Sequence, residues 1–348
     1  MGALCAAVAF PAAAAARTKV VFAGGPPGFA TKIQHKYGAG INSFLLNKVT
    51  IHAGDSVVWD GRALAGGFHS VDIPAVGGSD LPLILPNSTK VSGVLDAAGN
   101  PFWFNGQSNL TFNPELFKAI GGHKYNGSAR IDSGLPLGPP KSFAVKFTKP
   151  GVYHYFCDVH YGMRGTVVVL AEHKHIPSGK QDAKALKKAE AAYIASAKQL
   201  DKTTVPANSV SLGASAPGGL EVFAMFPATL HVATGTTVTF FMSKATDETH
   251  TATFGDTSKG GYVYNLGQTA FNSPTGVIDP RGAYPSDVPM PISLSLTSHG
   301  NGFGNTGALD RDAGTPNPPS GQIKFTQAGT YHYICLIHSF MHGTVVVK

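Results

Sequence analysis

Tyr153-His154-Tyr155-Phe156-Cys157-Asp158-Val159-His160-Tyr161-Gly162-Met163 recurs 178 positions later as Tyr331-His332-Tyr333-Ile334-Cys335-Leu336-Ile337-His338-Ser339-Phe340-Met341. Each copy sets a thiol, an imidazole and a thioether three residues apart, at the end of a stretch that reads as a β-strand. Thiolate and thioether are soft donors and imidazole is borderline, a combination that suits copper better than zinc or iron. One more imidazole per copy would complete the two-His, one-Cys set with a weak axial Met that marks an electron-transfer copper site.

The missing imidazole is found upstream. Residues 49–59 alternate apolar and polar side chains about a turn glycine and read as two short strands, and residues 230–240 have the same shape. One offset, 181, relates Val49 to Leu230, Gly54 to Gly235, Trp59 to Phe240 and His69 to His250, so the two histidines are equivalent. Between each His and its Cys lie Gly-, Pro- and Asn-rich insertions, read as loops folded over one end of a sandwich, with a small helix expected around Pro114 to Ile120. The copies rejoin at Lys146-Phe147-Thr148 and Lys324-Phe325-Thr326. They close with β-branched strands at 165–169 and 343–347.

The remaining composition fits this frame. A chain of 348 residues suits two domains of ordinary size, and 42 Gly, 24 Pro and only 14% charged residues favour a loop-rich, all-β protein. The duplication sets the domains at 18–171 and 203–348. Between them, 172–202 reads as a helical linker: Ser178 with Gln181 makes a capping box, and Leu186, Ala189, Tyr193, Ala197 and Leu200 share one face of an amphipathic helix of about 179–200. Residues 1–16 are apolar and alanine-rich and read as a truncated export signal, so the protein is expected to be exported, to the periplasm, the cell surface or the medium. That segment includes Cys5, leaving Cys157 and Cys335 in the mature chain. No stretch is apolar for long enough to span a bilayer. Residues 18–171 hold 13 basic and 8 acidic groups (+5), 172–202 hold 7 and 4 (+3), and 203–348 hold 6 and 8 (−2). A basic first half suits an acidic redox partner protein or an anionic envelope surface, beside the commoner reading of a scattered solvated surface, and nothing resembles a nucleic-acid module.

On these residues the chain resembles the cupredoxins, blue copper proteins such as plastocyanin, pseudoazurin and amicyanin; the short Cys-x-x-His-x-x-Met loop is most similar to the last two. The resemblance implies two cupredoxin-like Greek-key β-sandwich domains and two type 1 coppers per chain. His69, Cys157, His160 and Met163 would bind one copper, and His250, Cys335, His338 and Met341 the other. It further implies that the loop histidines, His160 and His338, reach the surface through an apolar patch and serve as electron ports. Ser70 and Thr251 stand where the family usually has an Asn that ties the loops, and Val159 and Ile337 where it often has Pro. Asp158 is matched by neutral Leu336, so the first copper is expected to have the lower potential. His154 and His332 read as structural residues.

Three functions compete: an exported electron carrier, a copper storage or delivery protein, and a multicopper oxidase or copper nitrite reductase. The enzymes need His-x-His pairs or a His adjoining the Cys for further coppers. Here Phe156, Asp158, Ile334 and Leu336 flank the cysteines, and the one His-x-His pair, His173 and His175, falls in the linker. No nucleophile triad, phosphate loop or catalytic carboxylate pair stands out.

Overall fold

The computed structural model describes residues 16–63, 67–135 and 142–348. The expected export segment lies outside the described residues up to its last position, and Cys5 with it.

Period-two patterning builds the sheets. In Gly151–Phe156 the side chains of Tyr153 and Tyr155 turn inward while Val152 and His154 face out, and in the antiparallel partner Arg164–Leu170 the inward set is Gly165, Val167 and Val169. These two strands lie inside a five-stranded sheet whose spatial order is Ile131–Asp132, Asp72–Ile73, Gly151–Phe156, Arg164–Leu170, Lys48–His52. A second sheet faces it, in the order Phe44–Leu45, Thr18–Ala23, Ser56–Asp60, Ser142–Phe147, Lys124–Tyr125. Trp59 fills the space between them, edge-on to Tyr155 at 5.0 Å. The second half repeats the plan, with Phe240 against Tyr333 at 5.4 Å. Burying one such aromatic contributes about 1.5–3 kcal/mol, so each sandwich has its own core.

The halves nevertheless interlock. Ala39–Ile41, from the first half of the sequence, adds an antiparallel edge strand to Leu220–Phe226 of the second. In the other direction Val277–Ile278 joins Ser108–Phe112 and Ile84–Lys90 in a small sheet built from the insertions of both halves. The helix expected near 179–200 spans Gly179–Leu200, with both hydrogen bonds of the Ser178/Gln181 box in place. Leu186, Tyr193, Ala197 and Leu200 pack with Ile33, Ile41 and Leu220, and Ile194 joins them. Ala39–Ile41 is reached through a second helix, Pro27–Tyr37, for which the sequence pattern gave no expectation. The small helix of the first insertion is a 3-10 turn, Pro114–Phe117. Among the described residues no helix is long and apolar enough to cross a membrane.

Candidate metal centres

Each Cys-x-x-His-x-x-Met segment is the tight connection between the last two strands of its sandwich. The Cys157 amide donates to the Met163 carbonyl at 2.9 Å and the Met163 amide to the His160 carbonyl at 2.8 Å; the same two bonds recur at Cys335 and Met341, at 3.1 and 2.8 Å. The upstream histidines arrive beside the short strands Asp72–Ile73 and Thr253–Phe254, which pair with the Cys-bearing strands. Six of the eight residues expected to be ligands therefore gather in two places. In the first, His69 Nδ1 and His160 Nδ1 are 3.2 Å apart and lie 4.0 and 3.6 Å from Cys157 Sγ. In the second, His250 Nδ1 and His338 Nδ1 are 3.1 Å apart and lie 3.6 and 3.8 Å from Cys335 Sγ. Met163 and Met341 are buried in the same core clusters as the cysteines.

These donors fit one metal ion per cluster. Bonds of about 2.0–2.3 Å from a metal to nitrogen and sulfur put three trigonal donors about 3.5–4 Å apart, close to the spacings found. Both cysteines are free thiols and buried. Burial alone would raise their pKa, but hydrogen bonds and charge from the paired histidines hold both thiols well below the usual value, in the thiolate form that a soft metal takes.

Behind the donors each half uses a glycine. Gly24 and Gly213 sit three residues past Val21 and Val210, which pair with Trp59 and Phe240 in turn. Both have positive φ, +74° and +81°, and a Cβ there would stand 2.9 Å from His69 Nε2 or 3.2 Å from His250 Nε2. Ser70 and Thr251, next to the upstream histidines, each present a hydroxyl to the ligand loop. Asp158 and Leu336 donate their amides to these hydroxyls, each at 2.9 Å, and so tie the ligand loop to the segment carrying the upstream His.

The expectation that both loop histidines open to solvent is corrected by the packing. His160 is 3% exposed, because residues 246–248 of the second half cover it. His338 keeps 18% of its side-chain surface, beside Phe223 and the exposed Phe340. Glu248, which no pattern in the sequence singled out, has one carboxylate oxygen 3.3 Å from His160 Nε2 and the other 3.5 Å from His338 Nε2. Burial would raise its pKa, yet the charges of His160 and His338 hold it down to about 2. Burial likewise works against protonated His160, but Glu248 and Cys157 bring it up to about 10.

Two further carboxylate features were not legible in the loops. Glu221 is buried 3.7 Å from His250 Nε2. Asp72, Asp132 and Asp158 form a buried cluster in the first half, with Arg130 paired to Asp72 and the Ser70 hydroxyl donating to Asp158. Burial raises the pKa of Glu221, against the hydrogen bond and charge of His250, so comparing Asp158 with Leu336 alone leaves out an acidic group of the second centre. His154 and His332 point outward, and each meets a threonine hydroxyl across its ladder, Thr166 or Thr344.

Comparison with known proteins bears on one part of the chain. Residues 96–170 match the family model of copper binding proteins of the plastocyanin/azurin family. The matched stretch contains Cys157, His160 and Met163; His69 and the second half lie outside it. Among solved structures, oxidized plastocyanin from the fern Dryopteris crassirhizoma aligns at 21% identity over 40% of this chain and 99% of its own, with a TM-score of 0.23. A Cu(I) form of a mutant amicyanin aligns at 19% over 42% of this chain and 87% of its own, with a TM-score of 0.21. No curated protein matches the chain in sequence.

Proposed function

We propose that this cupredoxin-like chain is an exported electron carrier with one type 1 copper in each half. One is held by His69, Cys157, His160 and Met163, and the other by His250, Cys335, His338 and Met341. The observation that carries the reading is repetition: in both halves a buried free cysteine faces the Nδ1 atoms of two histidines at matching distances. Copper, when bound, supplies a one-electron couple between Cu(I) and Cu(II). The residues' part is to present a thiolate and two imidazoles already converged, with a buried methionine beside them, so that little needs to move when the charge changes. Tight backbone ties at Ser70, Thr251 and the two ligand loops support that rigidity.

His338, flanked by Phe340 at 64% exposure, offers a small apolar face for a redox partner protein. A storage or delivery protein would use the same ligands. The contact of both clusters with one carboxylate favours the carrier, because a buffer gains nothing from linking its sites. The test is to load purified full-length protein with Cu(II) and record visible absorption together with metal content. An intense blue band and two coppers per chain support the carrier. Extra copper with oxygen or nitrite turnover favours the enzyme, and loading without a blue band ends the type 1 reading.

A further inference from the structure

Glu248 stands two residues before the ligand His250, and the segment around it reaches out of its own sandwich onto the ligand loop of the other. Tyr161 Oη donates to the Thr246 carbonyl at 2.5 Å, and the Asp247 carboxylate lies directly over Gly162, where a Cβ would overlap it. Glu248 is then fixed from three sides. Asn42 Nδ2 donates to Oε1 at 2.7 Å, and the two loop histidines meet one oxygen each. From the two contacts and the width of a carboxylate, His160 Nε2 and His338 Nε2 are at most about 9 Å apart. The duplication supplies a contrast. The position equivalent to Glu248 in the first half is Gly67, and among the described residues a Cβ there would have only His160 Nε2, at 4.0 Å, as a close neighbour. One half contributes a carboxylate and the other leaves room for it.

We propose that Glu248 joins the two centres into a single redox unit, accepting an Nε2 proton from His160 and from His338 and forming the hydrogen-bonded route by which an electron passes between them. This rests on the reading that both clusters hold copper. An imidazole that donates through Nε2 presents Nδ1 inward as a ligand, so one carboxylate orients both rings. The transfer balances within the chain: an electron given up at one centre is taken up at the other, no bond forms or breaks, and both protons stay on their rings. Because His160 is covered, electrons for the first centre pass through the second, whose His338 is the more exposed.

The decisive variant is Glu248→Gln in the full chain loaded with Cu(II). The amide keeps the shape, loses the charge and accepts from only one of the two N–H groups. A negative charge one ring away from each ligand nitrogen favours the oxidised state, so its loss should lower the oxidised-to-reduced ratio at a fixed potential by on the order of tenfold at both centres. Glu221→Gln, the control, should move only the second centre. In half-reduced protein, exchange between centres should slow by a similar factor in E248Q, whereas in E221Q it should change only as far as the shifted potential of the second centre alters the driving force. Proton NMR of diamagnetic Cu(I) protein gives a readout independent of turnover: the Nε2–H resonances of His160 and His338 should both shift in E248Q. Asn42→Ala, which releases Oε1 without touching either ring, should shift both resonances in the same direction by less, and it serves if E248Q does not fold. If both coppers bind with normal blue bands and E248Q moves only one centre or neither, the shared link is refuted while the carrier stands. If no blue copper is bound, the carrier reading itself has failed.

Discussion

Replacing Asp132 by Asn should stabilise the copper-free protein at pH 8 and flatten its dependence on pH. Asp132 pairs with Asp72 in the first half as Asn305 pairs with Thr253 in the second, so the change copies what the duplicate already uses. Asp72, Asp132 and Asp158 are buried together, with Arg130 as the cation paired to Asp72, and Asp72 Oδ1 and Asp132 Oδ2 have no hydrogen-bond partner. Burial, with Asp158 next in effect, pushes Asp132 up to about 7 and Asp72 up to about 8. The folded chain therefore holds a proton that the unfolded chain has already released above its ordinary carboxyl pKa near 4. Stability falls as pH rises from there through about 7, because the unfolded state binds fewer protons across that window. Three units at about 1.4 kcal/mol each set a ceiling of roughly 4 kcal/mol for Asp132. Neighbouring carboxylates share the repulsion and relax it, so we take about 1.5 kcal/mol, or roughly 3–6 °C in Tm for a sandwich of this size. Asn keeps the acceptor for the Gly134 amide, at 2.8 Å, and turns the bare oxygen into a donor facing carboxylates. Thermal unfolding of the copper-free full chain at pH 5, 6.5 and 8 reads the effect. A loss of stability at pH 8, or an equal gain at pH 5 and pH 8, would refute the reasoning.

Other expectations concern the centres directly. Cys157→Ser and Cys335→Ser should each leave one copper per chain and remove one contribution to the blue band, as read by metal counting; loss of both coppers from either variant would contradict independent ligand sets. Gly24→Ala should weaken copper at the first centre only. Its Cβ meets His69 Nε2 at 2.9 Å and its φ of +74° costs an alanine about 1–2 kcal/mol, and titration with Cu(I) would expose an unaffected first site as a refutation. Tyr161→Phe removes a hydrogen bond between the halves and should cost about 1 kcal/mol in chemical denaturation. His154→Ala should leave the blue band and potential unchanged, since its imidazole faces Thr166 on the outer surface; a spectral shift would give it a part in the first centre.

The two His/Cys/His clusters were legible because their signal is local. Cys, His and Met at spacings of three lie in one connection, and a constant offset carries His69 onto His250 without any knowledge of the fold. The strands and the Gly179–Leu200 helix were legible for the same reason, since a period of two and a capping box act between near neighbours in the chain. The Pro27–Tyr37 helix was missed: its apolar face becomes visible only against the partners it covers, Ile33 against Leu220 and Ala197.

What the sequence by itself determined is which histidines and cysteines come together in each half and the twofold repetition of the scaffold. What only the tertiary structure decided is how the two copies face one another: the edge strand Ala39–Ile41 given to the other half, the cover over His160, and Glu248 between two histidines. Those contacts join groups that are far apart in the sequence, such as Asn42 and Glu248, which are 206 positions apart. Contacts at that range follow no repeat, so their partners are chosen by how whole surfaces fit and leave no periodic trace in either segment.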